Sequence, residues 1–198
     1  VGSSTSANAT LTVNTAPTIT SQPANATVNA GATASFSVTA TGSGTLAYQW
    51  RKNGTNIAGA TTSTYTTPAT VAADNGSLFS VVVSNSAGST TSADAALSVN
   101  IPPSITTQPL SQTINVGQTA TFNVVASGTA PLNYQWRKNG VAISGATSAS
   151  YTTPAAVAGD SGSLFTVLIT NIAGNVTSAN AILTVNTAPT ITTQPANA

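Results

Sequence analysis

Apolar and polar residues alternate with period two along most of this chain, the pattern of strands with one buried and one wet face. In residues 34–40, Phe36 and Val38 fall on one side and Ser35, Ser37 and Thr39 on the other. Leu46, Tyr48 and Trp50 alternate with Ala47, Gln49 and Arg51. That run stops at Asn53-Gly54, a pair that accepts φ > 0 at both positions and so predicts a two-residue hairpin. Phe79, Val81 and Val83 alternate with Ser80, Val82 and Ser84 as far as a second turn signal, Asn85-Ser86-Ala87-Gly88. A last strand follows, with Ala95, Leu97 and Val99 inward. No segment sustains a helical period. Short strands at close, regular spacing, separated by turn chemistry, predict an all-β fold of antiparallel sandwiches.

The pattern occurs twice, because residues 17–102 and 103–188 are copies of one unit. Residues 1–14 match the tail of each copy, as in residues 175–186, and residues 189–198 restate the head, residues 17–26. Four pieces are therefore expected: residues 1–16 as the C-terminal strand of a preceding repeat, 17–102 and 103–188 as complete repeats, and 189–198 as the first strand of a following one. A fixed period of this size means supersecondary units strung in a row. The junctions, residues 13–17, 99–103 and 185–189, carry Pro and no Gly/Ser tract. Proline fixes φ and biases its predecessor to extended geometry, so the expected array is a stiff rod.

Val38, Trp50, Asp74-Asn75-Gly76, Phe79, Val81 and Asn85-Ser86-Ala87-Gly88 fall in the order and near the spacing of the immunoglobulin I-set pattern. Val124, Trp136, Asp160-Ser161-Gly162, Phe165, Val167 and Asn171-Ile172-Ala173-Gly174 repeat it. The chain resembles the Cys-free tandem immunoglobulin-like repeats of large bacterial surface and secreted proteins. The resemblance implies a core signature of Val38, Trp50, Phe79 and Val81 in one unit and Val124, Trp136, Phe165 and Val167 in the other. It also implies an extracellular or cell-surface location. Where the I-set pattern carries an inter-sheet disulfide, this chain has Val38 with Val81 and Val124 with Val167. Apolar packing must then supply the ~2–4 kcal/mol that a native bridge typically contributes. The I-set pattern's corner Tyr is Phe79 and Phe165 here, without the hydroxyl.

Charge narrows the chemistry. Only 4% of residues are charged, the formal net charge is +1, and there is no His, Cys or Met. The carboxylates are Asp74, Asp94 and Asp160; the first and third are equivalents in different copies, and Asp94 becomes Asn180 in the second. Paired-carboxylate or triad catalysis has no groups to work with, so the expectation is no enzyme and no cofactor. Calcium at the junctions would need several carboxylates, and residues 99–103 hold none. Four cations are too sparse for nucleic acid, and no apolar run is long enough to insert in a membrane.

Asp74 with Gly76, and Asp160 with Gly162, read as turn residues whose carboxylates cap local backbone N–H groups. Lys52 and Lys138, with Arg51 and Arg137, read as solvated strand ends; a Lys–Asn isopeptide and contact with an anionic glycan are the sharper alternatives. Tyr48, Tyr65, Tyr134 and Tyr151 read as packing residues, with sugar stacking as the alternative. The five Asn-x-Ser/Thr sequons, at Asn8, Asn25, Asn53, Asn75 and Asn175, are what an Asn/Ser/Thr-rich chain contains by chance. Val82, Leu168 and Ile172 should face away from the core and are the candidate lateral contacts. The leading expectation is a non-enzymatic structural protein, a stiff array forming a stalk or an extracellular fibre whose partner is itself. The alternative is an adhesin or carbohydrate-binding array facing a glycan or host surface, accessory to a domain outside this stretch.

Overall fold

The computed structural model describes residues 1–194 and divides into two compact units, the first ending at Val99 and the second starting at Asn100. In the first unit the strands are β1 (Thr18–Ser21), β2 (Ala26–Asn29), β3 (Ser35–Ser37), β4 (Thr39–Thr41), β5 (Ala47–Lys52), β6 (Thr55–Asn56), β7 (Thr64–Thr66), β8 (Leu78–Asn85), β9 (Gly88–Thr91) and β10 (Ala95–Asn100). A single 3-10 turn, Ala72–Asp74, precedes β8. The second unit repeats the order as β11 (Ser104–Thr107), β12 (Gln112–Asn115), β13 (Thr121–Asn123), β14 (Val125–Ser127), β15 (Asn133–Lys138), β16 (Val141–Ala142), β17 (Ser150–Thr152), β18 (Leu164–Asn171), β19 (Gly174–Thr177) and β20 (Ala181–Asn186), with its 3-10 turn at Ala158–Asp160.

Each unit is a two-layer sandwich. One layer of the first unit is ordered β2-β10-β8-β5-β6, with β9 also on β8; the other is built on β3 and β4, which pair with β7 and β1 respectively. β3 and β4 are one run of chain interrupted at Val38, whose N–H donates to Ser63 O at 3.0 Å and whose side chain is buried. β12 runs parallel to β20, Gln112 opposite Leu183 through Asn115 opposite Asn186, whereas the hairpin neighbours are antiparallel.

The core follows from the alternation. Phe36, Trp50, Phe79, Val81, Val83 and Leu97 are at most 1% exposed. Phe36 and Phe79 stack at 4.6 Å, and Trp50 and Tyr65 close the cluster at 6.4 and 5.9 Å from them. Phe122, Trp136, Tyr151 and Phe165 repeat this arrangement. The indole N–H of each buried Trp is satisfied, Trp50 donating to Thr62 O at 2.9 Å and Trp136 to Ser148 O at 3.0 Å. Val38, Val124 and Val167 are buried beside these rings, where the resemblance places sulfurs.

Residues 1–17 carry no strand, and neither do residues 187–194; residues 195–198, part of the expected first strand 189–198, lie outside the described residues. A strand is a shared structure that needs ladder partners, which for a strand of a neighbouring repeat lie in that repeat; residues 1–16 bond to the first unit through Asn14 and Thr15. The division between units also precedes the expected boundary at residue 103, because the residues just before Pro103 bond to the second unit.

Candidate functional site: a linker clasp at the head of each unit

Asn85 ends β8 and Asn171 ends β18, each opening a four-residue hairpin loop that closes on Gly88 or Gly174. Asn is suited here because its carboxamide offers two donors and an acceptor from one short side chain. Asn171 Nδ2 donates to Ile101 O at 2.7 Å and to Thr129 O at 2.8 Å, while its Oδ1 accepts from Ala173 N at 2.9 Å and Gly174 N at 3.1 Å. One side chain thus joins the hairpin, the β14–β15 loop and the chain entering the unit.

The entering chain is held a second time. Ile101 N donates to Thr129 Oγ1 at 2.7 Å, and Thr129 N returns a bond to Ile101 O at 3.0 Å. Both lone pairs of the Ile101 carbonyl are then occupied. In the first unit Asn85 Nδ2 donates to Thr15 O and Ser43 O, both at 2.8 Å. Thr15 N donates to Ser43 Oγ at 2.9 Å, and Ser43 N to Thr15 O at 3.2 Å. Pro17 and Pro103, two residues on, are buried. The loop approaches so closely that a Cβ on Gly128 would lie 3.1 Å from Pro102 O and from Pro103 Cα, and one on Gly42 would lie 3.2 Å from Pro17 Cα.

Sequence reasoning reads Asn85 and Asn171 as turn formers and misses the clasp. The signal available was coincidence between copies: a hydroxyl residue, Ser43 or Thr129, follows a Gly at the same place in each, and Asn recurs at the same hairpin position.

Lys52 and Asp74 form an ion pair at 2.5 Å, as do Lys138 and Asp160. This corrects the reading of the two lysines as solvated strand ends: each reaches back from the end of β5 or β15 to the turn before β8 or β18. Asp74 Oδ2 also accepts from Val71 N at 2.8 Å, and Asp160 Oδ2 from Val157 N at 2.9 Å. The lysine hydrogen bond first, and this backbone N–H second, hold both carboxyls below the usual carboxylate value against a smaller opposing effect of burial. An ionised carboxylate facing an ammonium does not condense to an amide, and the lysines face Asp rather than Asn. The Lys–Asn isopeptide therefore has no partner here.

Beside each ion pair a hollow opens, about 230 Å³ in the first unit, lined by Tyr65, Phe79 and Leu97 among others, and about 100 Å³ in the second. Its only titratable groups besides Tyr are already paired with each other. The four tyrosines are half-buried, and Tyr65 and Tyr151 lie against core rings. Of the candidate lateral contacts, Val82 and Leu168 are half-buried on the outer face, and Ile172 at the hairpin tip is 74% exposed. Gly76 and Gly162 adopt φ of 82° and 86° in the turn after the ion-paired aspartates. Among the described residues no three His, Cys, Asp or Glu side chains cluster as a metal site, and no helix is long and apolar enough to cross a membrane.

Buried Trp, the parallel pairing of β12 with β20 and a hairpin returning on the β5–β8 sheet define an immunoglobulin-like sandwich. The chain belongs to the immunoglobulin domain family, whose model matches residues 16–88 and again residues 102–178. Among solved structures, the I-band fragment I67–I69 of titin superposes with a TM-score of 0.71 at 19% identity, covering 87% of this chain and 66% of the fragment. Immunoglobulin domains 1–4 of Sidekick-1 give 0.65 at 23% identity over 87% of this chain and 49% of that one. The IG1+IG2 pair of DIP-gamma gives 0.68 at 15% identity, with 85% and 97% covered. At such identities the likeness is one of fold. No curated protein matches the chain.

Proposed function

We propose that this chain is a non-enzymatic structural element: a stiff tandem immunoglobulin-like array, exported by a bacterium, that serves as a stalk or as the repeating body of an extracellular fibre. The clasp carries the reading. β10 ends at Asn100 and the clasped segment starts at Ile101, so no unbonded residue separates the last strand of one repeat from the anchorage on the next. A linker with no free residue has little conformational entropy to spend on bending. The adhesin reading gains less, because the tyrosines that would stack on sugars are half-buried and the charged side chains lining the hollows are already paired with each other. The partner proposed is the protein itself, through Ile172 and the outer-face residues Val82 and Leu168.

Small-angle scattering on the 198-residue chain tests this. The expected result is one narrow distribution of domain separations, equal at low and high salt, that broadens in Asn171→Ala while both domains keep their own unfolding transitions. A broad distribution in the unaltered chain overturns the stiff-array reading.

A further inference from the structure

The chain holds three Asn-Gly pairs: Asn53-Gly54, Asn75-Gly76 and Asn139-Gly140. The geometry points to Asn53 and Asn139 as sites of spontaneous deamidation through a cyclic imide, with Asn75 protected by the same fold.

In this reaction the Gly54 amide gives its proton to hydroxide and its nitrogen attacks Asn53 Cγ. An N–Cγ bond forms, the Cγ–Nδ2 bond breaks, and the nitrogen takes a proton from water to leave as ammonia. Water then opens the five-membered imide at either carbonyl to give Asp or isoaspartate. Hydroxide and water are the only co-reactants.

Ring closure requires the Gly nitrogen to eclipse Cβ about the Cα–C bond. For an L residue this puts ψ near about −120°, the value at the first central position of a type II′ turn, which needs φ near about +60°. Asn53 and Asn139 already stand at φ 49° and 51°, with Gly54 and Gly140 at 80° and 84°, the signs of a type I′ hairpin. Types I′ and II′ both close two-residue hairpins, so only the Asn–Gly peptide plane must turn. Little opposes that turn. Gly54 and Gly140 donate no hydrogen bond among the described residues, have no neighbour within 4 Å of a Cβ position, and accept either sign of φ.

The rest of the residue is anchored. Asn53 N donates to Leu78 O at 2.8 Å and Asn53 Oδ1 accepts from Leu78 N at 2.8 Å; Asn139 and Leu164 repeat both bonds at the same distances. The N–H on Oδ1 polarises the carboxamide and faces the oxygen on which negative charge develops as the nitrogen adds. Asn75 has the same kind of contact on its carboxamide, Oδ1 accepting from Val99 N at 2.9 Å, and differs at the attacking end. Its φ is −61°, and Gly76 N is tied to Leu97 O at 2.8 Å, a bond that must break before the nitrogen can attack. Conversion at both hairpin tips would take the formal net charge from +1 to −1 and set a new carboxylate next to Lys52 and to Lys138.

The test is incubation of the folded chain at mildly alkaline pH, with peptide mass analysis of the three sites and enzymatic methylation to count isoaspartate. Asn53 and Asn139 should convert about tenfold or more faster than Asn75, the rate equivalent of one lost backbone hydrogen bond, and the three should converge in denaturant. Equal rates in the folded chain, Asn75 converting first, or native hairpin sites that stay intact while the unfolded chain converts would each overturn the assignment.

Discussion

Asn171 shows what a single residue can and cannot disclose in a sequence. Its place in Asn-x-x-Gly marks a turn, yet the carbonyl it holds belongs to Ile101, 70 residues earlier. Local rules read neighbours along the chain, and nothing in period or propensity encodes a partner at that separation. The same limit hid the Lys52–Asp74 pair, which spans 22 residues. Trp50 and Phe79, by contrast, were legible as core because alternation alone decides which face a strand residue takes. The ion pairs make a prediction at this scale. Each Asp is held below its ordinary value of 3.8, so its contribution to stability is complete above that value and fades as pH falls through the lower folded one. Urea midpoints followed from neutral to acid pH should fall in the unaltered chain. With Asp74→Asn and Asp160→Asn combined, the neutral midpoint should be lower and the acid slope shallower; an unchanged slope would remove the pairs as its source. Since both partners are partly solvated, the effect is of the order of an exposed pair, about 0.2–1 kcal/mol each.

Elements were largely legible where turn chemistry bounds them. Asn53-Gly54 closes β5 onto β6 with Lys52 opposite Thr55, and Asn85 closes β8 onto β9 with Gly88 opposite it. Less legible were strands that exist by virtue of a partner. The run 34–40 reads as one strand and is divided at Val38, since a period-two pattern states which face would be buried without stating what pairs with the edge. The loop between β14 and β15 is the element most tightly constrained by the clasp. A Gly128→Ala change would force a methyl to within 3.1 Å of backbone at a φ of 146°. It should destabilise the second domain by about 1–3 kcal/mol, the cost of overpacking, while leaving the first domain's transition in place. Calorimetry on the whole chain separates the two; loss of less than a few tenths of a kcal/mol would mean that the loop shifts to make room.

At the scale of the whole molecule, repetition made the two-domain organisation readable, and family membership followed from residues spaced alike in both copies. The exact division was not readable, because the residues before Pro103 are assigned to a domain by bonds rather than by composition. One feature of the second sandwich also bears on how it fails. β12 and β20 stand side by side and parallel, near opposite ends of the same domain's chain, so a pull applied at those ends slides one along the other. Bonds crossing a sliding pair share the strain and must give way together, whereas a hairpin peels open one rung at a time. Val116 N donates to Asn186 O at 3.1 Å, which by alternation places the Ile114 N–H in the same ladder. Ile114→Pro deletes that rung. In single-molecule stretching the altered domain should rupture at a clearly lower force than its neighbour, giving two force levels where the unaltered chain gives one; equal forces would assign the resistance elsewhere. The domain is then less a bead on a string than a latch in series, and the neutral, disulfide-free core can be modest because rupture is governed by the ladder that takes the strain first.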